Sequence, residues 1–234
     1  MPETTLDDLQ YEDLRLRQNK RGYRSTEDSL ILLYTIIKRV GFDYKGNAFE
    51  FGTGSGIISL LLAAKLKNIT ITTIEIQESL FRLAKENIIH AGLKERIALI
   101  KIDGRKIKEY FNPQKFDCCF SNPPFFLKGS GRPSPSKEKL HARYEMLCTM
   151  GDVLDAFEYM LKFRGLGFLI YPVERLEEFL QKVNSLKHMK LSRIQFFKDI
   201  KNPSGTWKSS QNESDLSKWA QKSKLFVAEI KKHS

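Results

Sequence analysis

One glycine-rich stretch decides the fold of this chain: Glu50-Phe51-Gly52-Thr53-Gly54-Ser55-Gly56. Residues 47–51 form a short strand pattern, and the pattern of residues 57–67 after the glycines predicts a helix. Glycines at such a junction let the backbone turn tightly and let a ligand lie against it. The stretch therefore predicts a ligand-binding turn in an α/β fold.

Strand and helix patterns alternate outward from this stretch. They predict strands at residues 69–76, 97–102, 116–120 and 165–171, and helices at residues 29–40, 77–91, 150–163 and 174–185. Residues 189–197 and 224–230 predict an antiparallel pair at one sheet edge. The alternation predicts an α/β fold with a mostly parallel sheet covered on both faces.

Length and composition predict a single domain over residues 1–234. The chain is 41% hydrophobic and 29% charged, which is enough apolar material for one core. Three segments stand apart within it: an N-terminal segment at residues 1–26, a glycine- and proline-containing loop at residues 126–143, and a polar insertion at residues 198–223. We expect the insertion at residues 198–223 to be flexible. We expect the loop at residues 126–143 to contact the substrate.

Several classes of protein are disfavoured by the sequence. The acidic, polar N-terminus carries no apolar signal core, and no apolar run is long enough to span a membrane. The three cysteines, Cys118, Cys119 and Cys148, do not form a disulfide framework, and no paired His/Cys ligand spacing occurs. We therefore expect a cytoplasmic protein without a metal site and without membrane attachment.

Two acidic residues follow the glycine turn at the ends of successive predicted strands. Glu75 ends the next strand, where a carboxylate can accept both hydroxyls of a ribose, and Asp103 ends the one after, where it can accept an adenine amino group. A nicotinamide-binding fold would place its glycines as Gly-x-Gly-x-x-Gly, whereas this chain has Gly-x-Gly-x-Gly. The spacing therefore favours a nucleoside cofactor other than a dinucleotide.

The fourth predicted strand runs into Ser121-Asn122-Pro123-Pro124-Phe125. An exocyclic amine on a planar ring is a poor nucleophile, and two hydrogen-bond acceptors can hold it and return electron density to its nitrogen. The Asn122 side chain and the Pro123 carbonyl can be those acceptors, while two prolines fix the turn and Phe125 can stack on the ring. We predict that residues 122–125 are the reacting site, acting on a nitrogen attached to a planar group.

Positive charge accumulates near this motif. The formal net charge is +11, which favours a polyanion such as nucleic acid. We expect substrate contacts from a set of cations in and beside the loop after residue 125 and from one before the first helix: Lys128, Arg132, Lys137, Lys139, Arg143 and Arg24. The same residues can instead form a solvated surface, and Arg143 can pair with Glu145.

The glycine turn, the two acidic strand ends and the Asn-Pro-Pro-Phe motif resemble the class I Rossmann-like methyltransferases, and within them the amino-methyltransferases with an (N/D/S)-P-P-(Y/F) motif. Gln18, the stretch Gly22 to Ser29, and His141 to Glu145 resemble, more narrowly, the bacterial tRNA1(Val) adenine-N6-methyltransferase family. The resemblance covers roughly residues 15–197.

The resemblance implies a seven-stranded sheet of order 3-2-1-4-5-7-6 with the last strand antiparallel. It implies S-adenosylmethionine as cofactor, and N6 of the adenine just 3′ of the anticodon in a valine tRNA as the methylated position. The implied cofactor-binding set is Asp28, Glu50, Gly52, Gly54, Gly56, Glu75, Asp103 and Asn122. Asp28 would cover the methionine end of the cofactor.

Other functions stay open at this point. Relatives acting on adenine commonly have Tyr where this chain has Phe125, and Phe is frequent in guanine-N2 methyltransferases of rRNA. An Asn-Pro-Pro motif also suits N5-glutamine methylation of a release factor. A non-catalytic RNA-binding module is a further possibility. The oligomeric state is not specified, and we favour a monomer.

Overall fold

The computed structural model describes residues 3–20, 27–125, 147–198, 206–209, 216 and 220–234. Helices α1 to α6 are Glu27–Val40, Ile57–Lys65, Glu78–His90, Ile107–Tyr110, Met150–Met160 and Leu176–Ser185. Strands β1 to β10 are Thr4–Asp8, Arg15–Asn19, Lys45–Phe51, Asn68–Glu75, Ile97–Lys101, Phe116–Ser121, Leu161–Pro172, Met189–Phe197, Thr206–Ser209 and Leu225–Lys232. Short 3-10 turns precede α4 and α6.

Eight strands form the main sheet in the order β5-β4-β3-β6-β7-β10-β8-β9. The first seven of these strands reproduce the predicted order 3-2-1-4-5-7-6. Strand β10 lies antiparallel to both β7 and β8, so the last strand of the seven is reversed as predicted. The α/β fold class is confirmed, and the carboxyl ends of β3, β4, β5 and β6 meet at one edge of the sheet.

Alternating side chains divide the core into two layers, one on each face of the sheet. Ala48 and Cys118 face the layer built with α1 and α2, whereas Phe49 and Cys119 face the layer built with α5 and α6. Side chains in a strand alternate between the faces, so each central strand is apolar on both sides. This explains why those strands read as continuous apolar runs.

Strands β1 and β2 form a separate antiparallel hairpin that packs on the first layer. Leu14 and Leu16 of the hairpin are buried there. The side chain of Asn87 in α3 accepts a hydrogen bond from the Arg17 N–H (2.8 Å) and donates to the Arg17 carbonyl (3.0 Å) and the Ser55 carbonyl (2.9 Å). One buried amide therefore ties the hairpin to the glycine turn.

The structure departs from the predicted elements at several places. The sequence does not predict the hairpin, because it is mostly polar and Leu14 and Leu16 are its only buried apolar residues among those described. Helix α5 ends at Met160 rather than at residue 163, because Leu161 already adopts extended backbone angles and begins β7. An eighth strand, β9, lies within the predicted insertion and pairs antiparallel with β8. Helix α1 begins at Glu27, two residues before its predicted start, so Asp28 lies inside its first turn.

We predict that Asn87→Ala lowers the free energy of unfolding by about 2 kcal/mol, because two backbone carbonyls and one N–H lose their buried partner. Chemical denaturation measures this change. Asn184→Ala, on an exposed position of α6, is the matched control and should change stability by less than about 0.5 kcal/mol. Equal effects of the two substitutions would contradict the proposed docking of the hairpin.

Candidate active site

The glycine turn leaves β3 and enters α2 through left-handed backbone conformations. Gly52 and Gly54 have φ angles of +74° and +61°. The N–H groups of Gly52 and Thr53 both donate to the Ile74 carbonyl of β4, at 3.1 and 3.0 Å. Because side chains other than glycine are strained at these angles, the turn depends on both glycines.

Glu75 is buried at the end of β4, beside the glycine turn. Its carboxylate accepts hydrogen bonds from the N–H of Gly54 (2.9 Å) and from the N–H of Gln77 (2.8 Å). Burial raises the pKa of Glu75 to about 7, against the opposing effect of these backbone donors. Nearby Glu50 raises the pKa further. The carboxylate is therefore poised to change charge near neutral pH, and a donor from a ligand would favour its charged form.

Glu50 lies beneath the turn and does not line the cavity. Its carboxylate accepts hydrogen bonds from the hydroxyls of Thr53 (2.6 Å), Thr73 (3.2 Å) and Ser59. Burial raises the pKa of this fully enclosed carboxyl, and the three hydroxyls act in the opposite direction. Glu50 thus connects the turn to α2 and β4 from behind.

Gly56 also lies behind the cavity, at the start of α2, where an added Cβ would come within 3.7 Å of Ala84 in α3.

Asp103 follows β5 and is held by Arg105. The Arg105 Nε is 3.0 Å from each carboxylate oxygen of Asp103, and the Arg105 Nη2 is 2.5 Å from Oδ2. This pairing lowers the pKa of Asp103, so its carboxylate is charged at neutral pH. Gly104 lies against Phe51, and any Cβ at this position would overlap the Phe51 ring.

The Asn-Pro-Pro turn follows β6 at the same edge of the sheet. The Ser121 hydroxyl donates to the Phe51 carbonyl at 2.7 Å, which fixes the end of β6 to the end of β3. The Asn122 Nδ2 donates to the Ser29 Oγ of α1 at 3.0 Å. Ser121, directly before the turn, is therefore tied to β3, and the Asn122 side-chain amide is tied to α1.

Phe125 lies half-buried beside Tyr171 of β7, with ring centroids 6.0 Å apart. The buried guanidinium of Arg175 donates to the Phe125 carbonyl at 3.3 Å and pairs with Glu178 through Nη2 at 2.7 Å. The same guanidinium lies 5.2 Å from the Tyr171 ring centroid. These contacts fix the far end of the Asn-Pro-Pro-Phe motif.

One cavity brings together seven of the eleven predicted site residues that the structure describes. Gly52, Gly54, Glu75, Asp103, Asn122, Pro123 and Pro124 line it, together with Phe51, Ile74, Ile76, Gln77, Leu80, Ile102, Gly104, Leu147 and Cys148. Apolar walls and two carboxylates at strand ends suit a flat aromatic ligand that carries hydroxyl or amino donors. Of the predicted residues in the described part of the chain, Asp28, Glu50, Gly56 and Phe125 do not line it.

The predicted substrate-binding residues Arg24, Lys128, Arg132, Lys137, Lys139 and Arg143 lie outside the described residues. Within the described part, two cations of β2 and the residue after it are paired: Arg17 lies 3.7 Å from Glu86 and Lys20 lies 2.5 Å from Glu3. Paired cations at a surface offer less to an incoming phosphate than unpaired ones.

Sequence reasoning missed several residues of the site. Ser29 was assigned only to a helix, and its contact with Asn122 joins positions far apart in sequence. Gly104 carries a visible signal, because a glycine directly after an acidic strand end indicates close packing. Leu147 and Cys148 have no recognisable signal in the sequence, because no local pattern there indicates that they line the cavity.

The described residues contain neither a cluster of metal ligands nor a membrane-spanning helix. In that part of the chain, no group of three or more His, Cys, Asp and Glu side chains is arranged to hold a metal ion. Among the helices described, none is both long enough and apolar enough to cross a bilayer.

The sequence profile of the methyltransferase small domain family matches residues 27–164. A Bacteroides thetaiotaomicron protein named tRNA1(Val) (adenine(37)-N6)-methyltransferase is 32% identical over 126 residues, which cover 53% of this chain and 51% of that protein. A Trichodesmium erythraeum protein of the same name is 30% identical over 58% of this chain and 57% of its own length. The chain thus spans about half the length of these curated relatives.

Solved structures share the fold. A methyltransferase from Pyrococcus furiosus superposes with a TM-score of 0.60 at 22% identity, covering 94% of this chain and 88% of that one. The Pyrococcus horikoshii protein TYW2, solved in complex with MeSAdo, gives a TM-score of 0.61 at 10% identity over 99% of this chain and 72% of its own. At these identities the likeness concerns the fold, which is Rossmann-like.

We predict that Gly104→Ala lowers the free energy of unfolding by about 1–3 kcal/mol, because the new methyl group displaces the Phe51 ring. The matched test places the same substitution in a Phe51→Leu background, where the ring is gone and the cost should fall below about 0.5 kcal/mol. Chemical denaturation of the four proteins measures both costs. The same cost in both backgrounds would show that Phe51 is not the obstacle.

Proposed function

The chain belongs to the methyltransferase small domain family, and from that premise we propose that it transfers a methyl group from S-adenosylmethionine to N6 of an adenine in tRNA. The observation that carries the proposal is the position of the Asn122–Pro124 turn, which lines the same cavity as Glu75 and Asp103. A site for a nucleoside and a site that can hold an amine therefore adjoin each other at one edge of the sheet.

The residues of the cavity fit S-adenosylmethionine, which supplies an electrophilic methyl group on a sulfonium when it is bound. Glu75 would accept hydrogen bonds from the ribose hydroxyls, and Asp103 from the adenine amino group. Ile76 and Ile102 offer apolar walls to the purine, and Gly54 leaves room beside the backbone. Asp28, in the first turn of α1, would cover the methionine end, while Glu50 and Gly56 support the turn from behind.

Asn122 would bind the substrate amine through hydrogen bonds. Its Oδ1 and the Pro123 carbonyl would each accept a hydrogen from the substrate nitrogen, which directs the nitrogen lone pair toward the methyl carbon. The nitrogen would form a bond to the methyl carbon while the bond from that carbon to sulfur breaks, with its electron pair left on sulfur as the thioether S-adenosylhomocysteine, and the amine would release one proton to solvent. Because a sulfonium is a good leaving group, alignment of the two reactants contributes more than a strong base does.

The proposal extends to the substrate and the compartment. The tRNA names of the two relatives and the net charge of +11 support an RNA substrate. An anticodon loop already exposes unstacked bases, so the adenine 3′ of the anticodon in a valine tRNA costs less to bring to Asn122 than a base inside a helix. Lys128, Arg132, Lys137, Lys139, Arg143 and Arg24 would contact its phosphates. The cytoplasm is the proposed compartment, and the three cysteines are free thiols there.

A methylation assay with product identification tests the proposal. The protein is incubated with labelled S-adenosylmethionine and, separately, with unmodified tRNA, rRNA or release factors, and the products are digested and identified by mass spectrometry. We expect N6-methyladenosine from tRNA. N2-methylguanosine from rRNA or N5-methylglutamine from a release factor would replace the proposed substrate, and no transfer to any of them would indicate a non-catalytic RNA-binding protein.

Asn122→Ala should lower turnover by about 100-fold or more, because one of the two acceptors of the amine is lost. The affinity for S-adenosylmethionine should change by less than about threefold, since Glu75 and Asp103 are unaltered. Single-turnover kinetics and calorimetry measure the two quantities. A large loss of cofactor affinity with normal turnover at saturation would show that Asn122 serves the cofactor instead.

Cofactor affinity should depend on pH through Glu75. Its pKa is raised to about 7 in the free protein, and ribose hydroxyls donate best to the charged carboxylate. Binding should therefore release protons, and affinity should fall by up to about tenfold between pH values of about 8 and 6. Calorimetry in buffers of different ionisation enthalpy measures the proton release.

Glu75→Gln is the control for this pH dependence, because the amide has the same shape and does not titrate. The variant should bind more weakly and lose the part of the proton release that belongs to Glu75. The amino group of the cofactor contributes equally to both proteins and cancels in the comparison. Identical proton release from the wild type and the variant would contradict the assignment.

A further inference from the structure

The first turn of α1 touches the reacting motif through one side chain. Ser29 is buried, with 3% of its surface exposed, and its Oγ lies 3.0 Å from the Asn122 Nδ2, which donates to it. The two residues are 93 positions apart in sequence, so the contact exists only because the fold brings the first turn of α1 to the residue that follows β6. The mechanism proposed above uses Asn122 and gives Ser29 no part.

The backbone of the motif is fixed without help from Ser29. The Ser121 hydroxyl bonds the Phe51 carbonyl at one end of the motif, and Arg175 bonds the Phe125 carbonyl at the other. Pro123 and Pro124 restrict the backbone between these points. The orientation of the Asn122 amide is a separate matter, because rotation about its last side-chain bond exchanges the oxygen and the nitrogen with little change of shape.

That exchange decides whether an amine can be held. With Oδ1 toward the substrate, the amide accepts a hydrogen from the amine; with Nδ2 there, two donors face each other. In the structure the Ser29 oxygen accepts from Nδ2, so the nitrogen of the amide lies on the α1 side. Because the amide is planar, Oδ1 then points away from Ser29.

We propose that Ser29 is a positioning residue that fixes the orientation of the Asn122 amide, so that Oδ1 is presented to the substrate amine before it arrives. This inference rests on the proposed methyl transfer to an exocyclic amine. It gives the start of α1 a role at the reacting atom in addition to the role of Asp28 toward the cofactor. Ser29 acts through Asn122 and needs no contact with substrate.

Ser29→Ala and Ser29→Thr test the proposal, and Thr35→Val is the matched control because it removes a buried hydroxyl from the same helix. Loss of one neutral hydrogen bond should lower kcat of Ser29→Ala by about three- to tenfold, with KM and Kd for S-adenosylmethionine unchanged. Ser29→Thr keeps the oxygen and should restore most of kcat. Thr35→Val should retain the wild-type kcat.

Two results would overturn the inference. Equal losses of kcat in Ser29→Ala and Thr35→Val would show that α1 packing matters and the hydrogen bond does not. A loss of cofactor affinity in Ser29→Ala that matches its loss of activity would place Ser29 in the cofactor site. If Ser29→Ala folds poorly, Ser29→Cys serves in its place, because a thiol has similar size and is a weak acceptor.

A spectroscopic measurement separates failure of this inference from failure of the proposed function. The side-chain amide of Asn122 is observed by NMR in asparagine-labelled protein and assigned by its loss in Asn122→Ala. We expect slow hydrogen exchange in the wild type and in Ser29→Thr, and exchange at least several-fold faster in Ser29→Ala. Unchanged exchange in Ser29→Ala would refute the hydrogen bond even if methylation is confirmed. Absence of methylation with these exchange rates would refute only the function.

Discussion

Two backbone N–H groups, from Gly54 and Gln77, donate to the buried carboxylate of Glu75, and this pair of hydrogen bonds joins the glycine turn to the end of β4. The turn takes its shape from the left-handed glycines, and its position relative to the neighbouring strand from Glu75. Burial costs the carboxylate solvation, which appears as a pKa near 7. A ligand that donates hydroxyl groups to Glu75 recovers part of that lost solvation, so the interaction that organises the site also suits it to a ligand with hydroxyl donors.

The Asn-Pro-Pro-Phe motif, which we propose as the reacting site, follows β6, the neighbour of β3 in the sheet, and is likewise held by hydrogen bonds. Ser121, Ser29 and Arg175 each hold a different part of the Asn-Pro-Pro-Phe turn, and each belongs to a different element. An acceptor pair for a weakly nucleophilic amine is effective only if it is already in place, because reorganisation during the reaction would use up the gain. The parallel strands supply the convergence, and these three side chains supply the rigidity.

Much of this arrangement could be predicted from sequence. The order of seven strands followed from the resemblance, and the convergence of Glu75, Asp103 and Asn122 followed from the rule that parallel strands end at a common edge. Glu50 shows where such reasoning stops: it belongs to the same motif as Gly52, yet three hydroxyls hold it behind the turn. The contact of Ser29 with Asn122 depends on packing between distant elements, and no local pattern indicates it. Gly104 carries a local signal for close packing, but the sequence does not indicate that its neighbour is Phe51. The N-terminal hairpin escaped prediction because its buried residues are too few to give a periodic signal.

We propose that one cavity holds the cofactor between Glu75 and Asp103 and places the amine of an adenine beside Asn122. A crystal structure of the protein with S-adenosylhomocysteine and an unmodified anticodon stem-loop of valine tRNA tests it most directly. We predict that the ribose hydroxyls lie on Glu75, and that a splayed adenine places its N6 within hydrogen-bond distance of the Asn122 Oδ1 and the Pro123 carbonyl. A cofactor bound outside this cavity, or a different base or a non-nucleotide amide at Asn122, would contradict it.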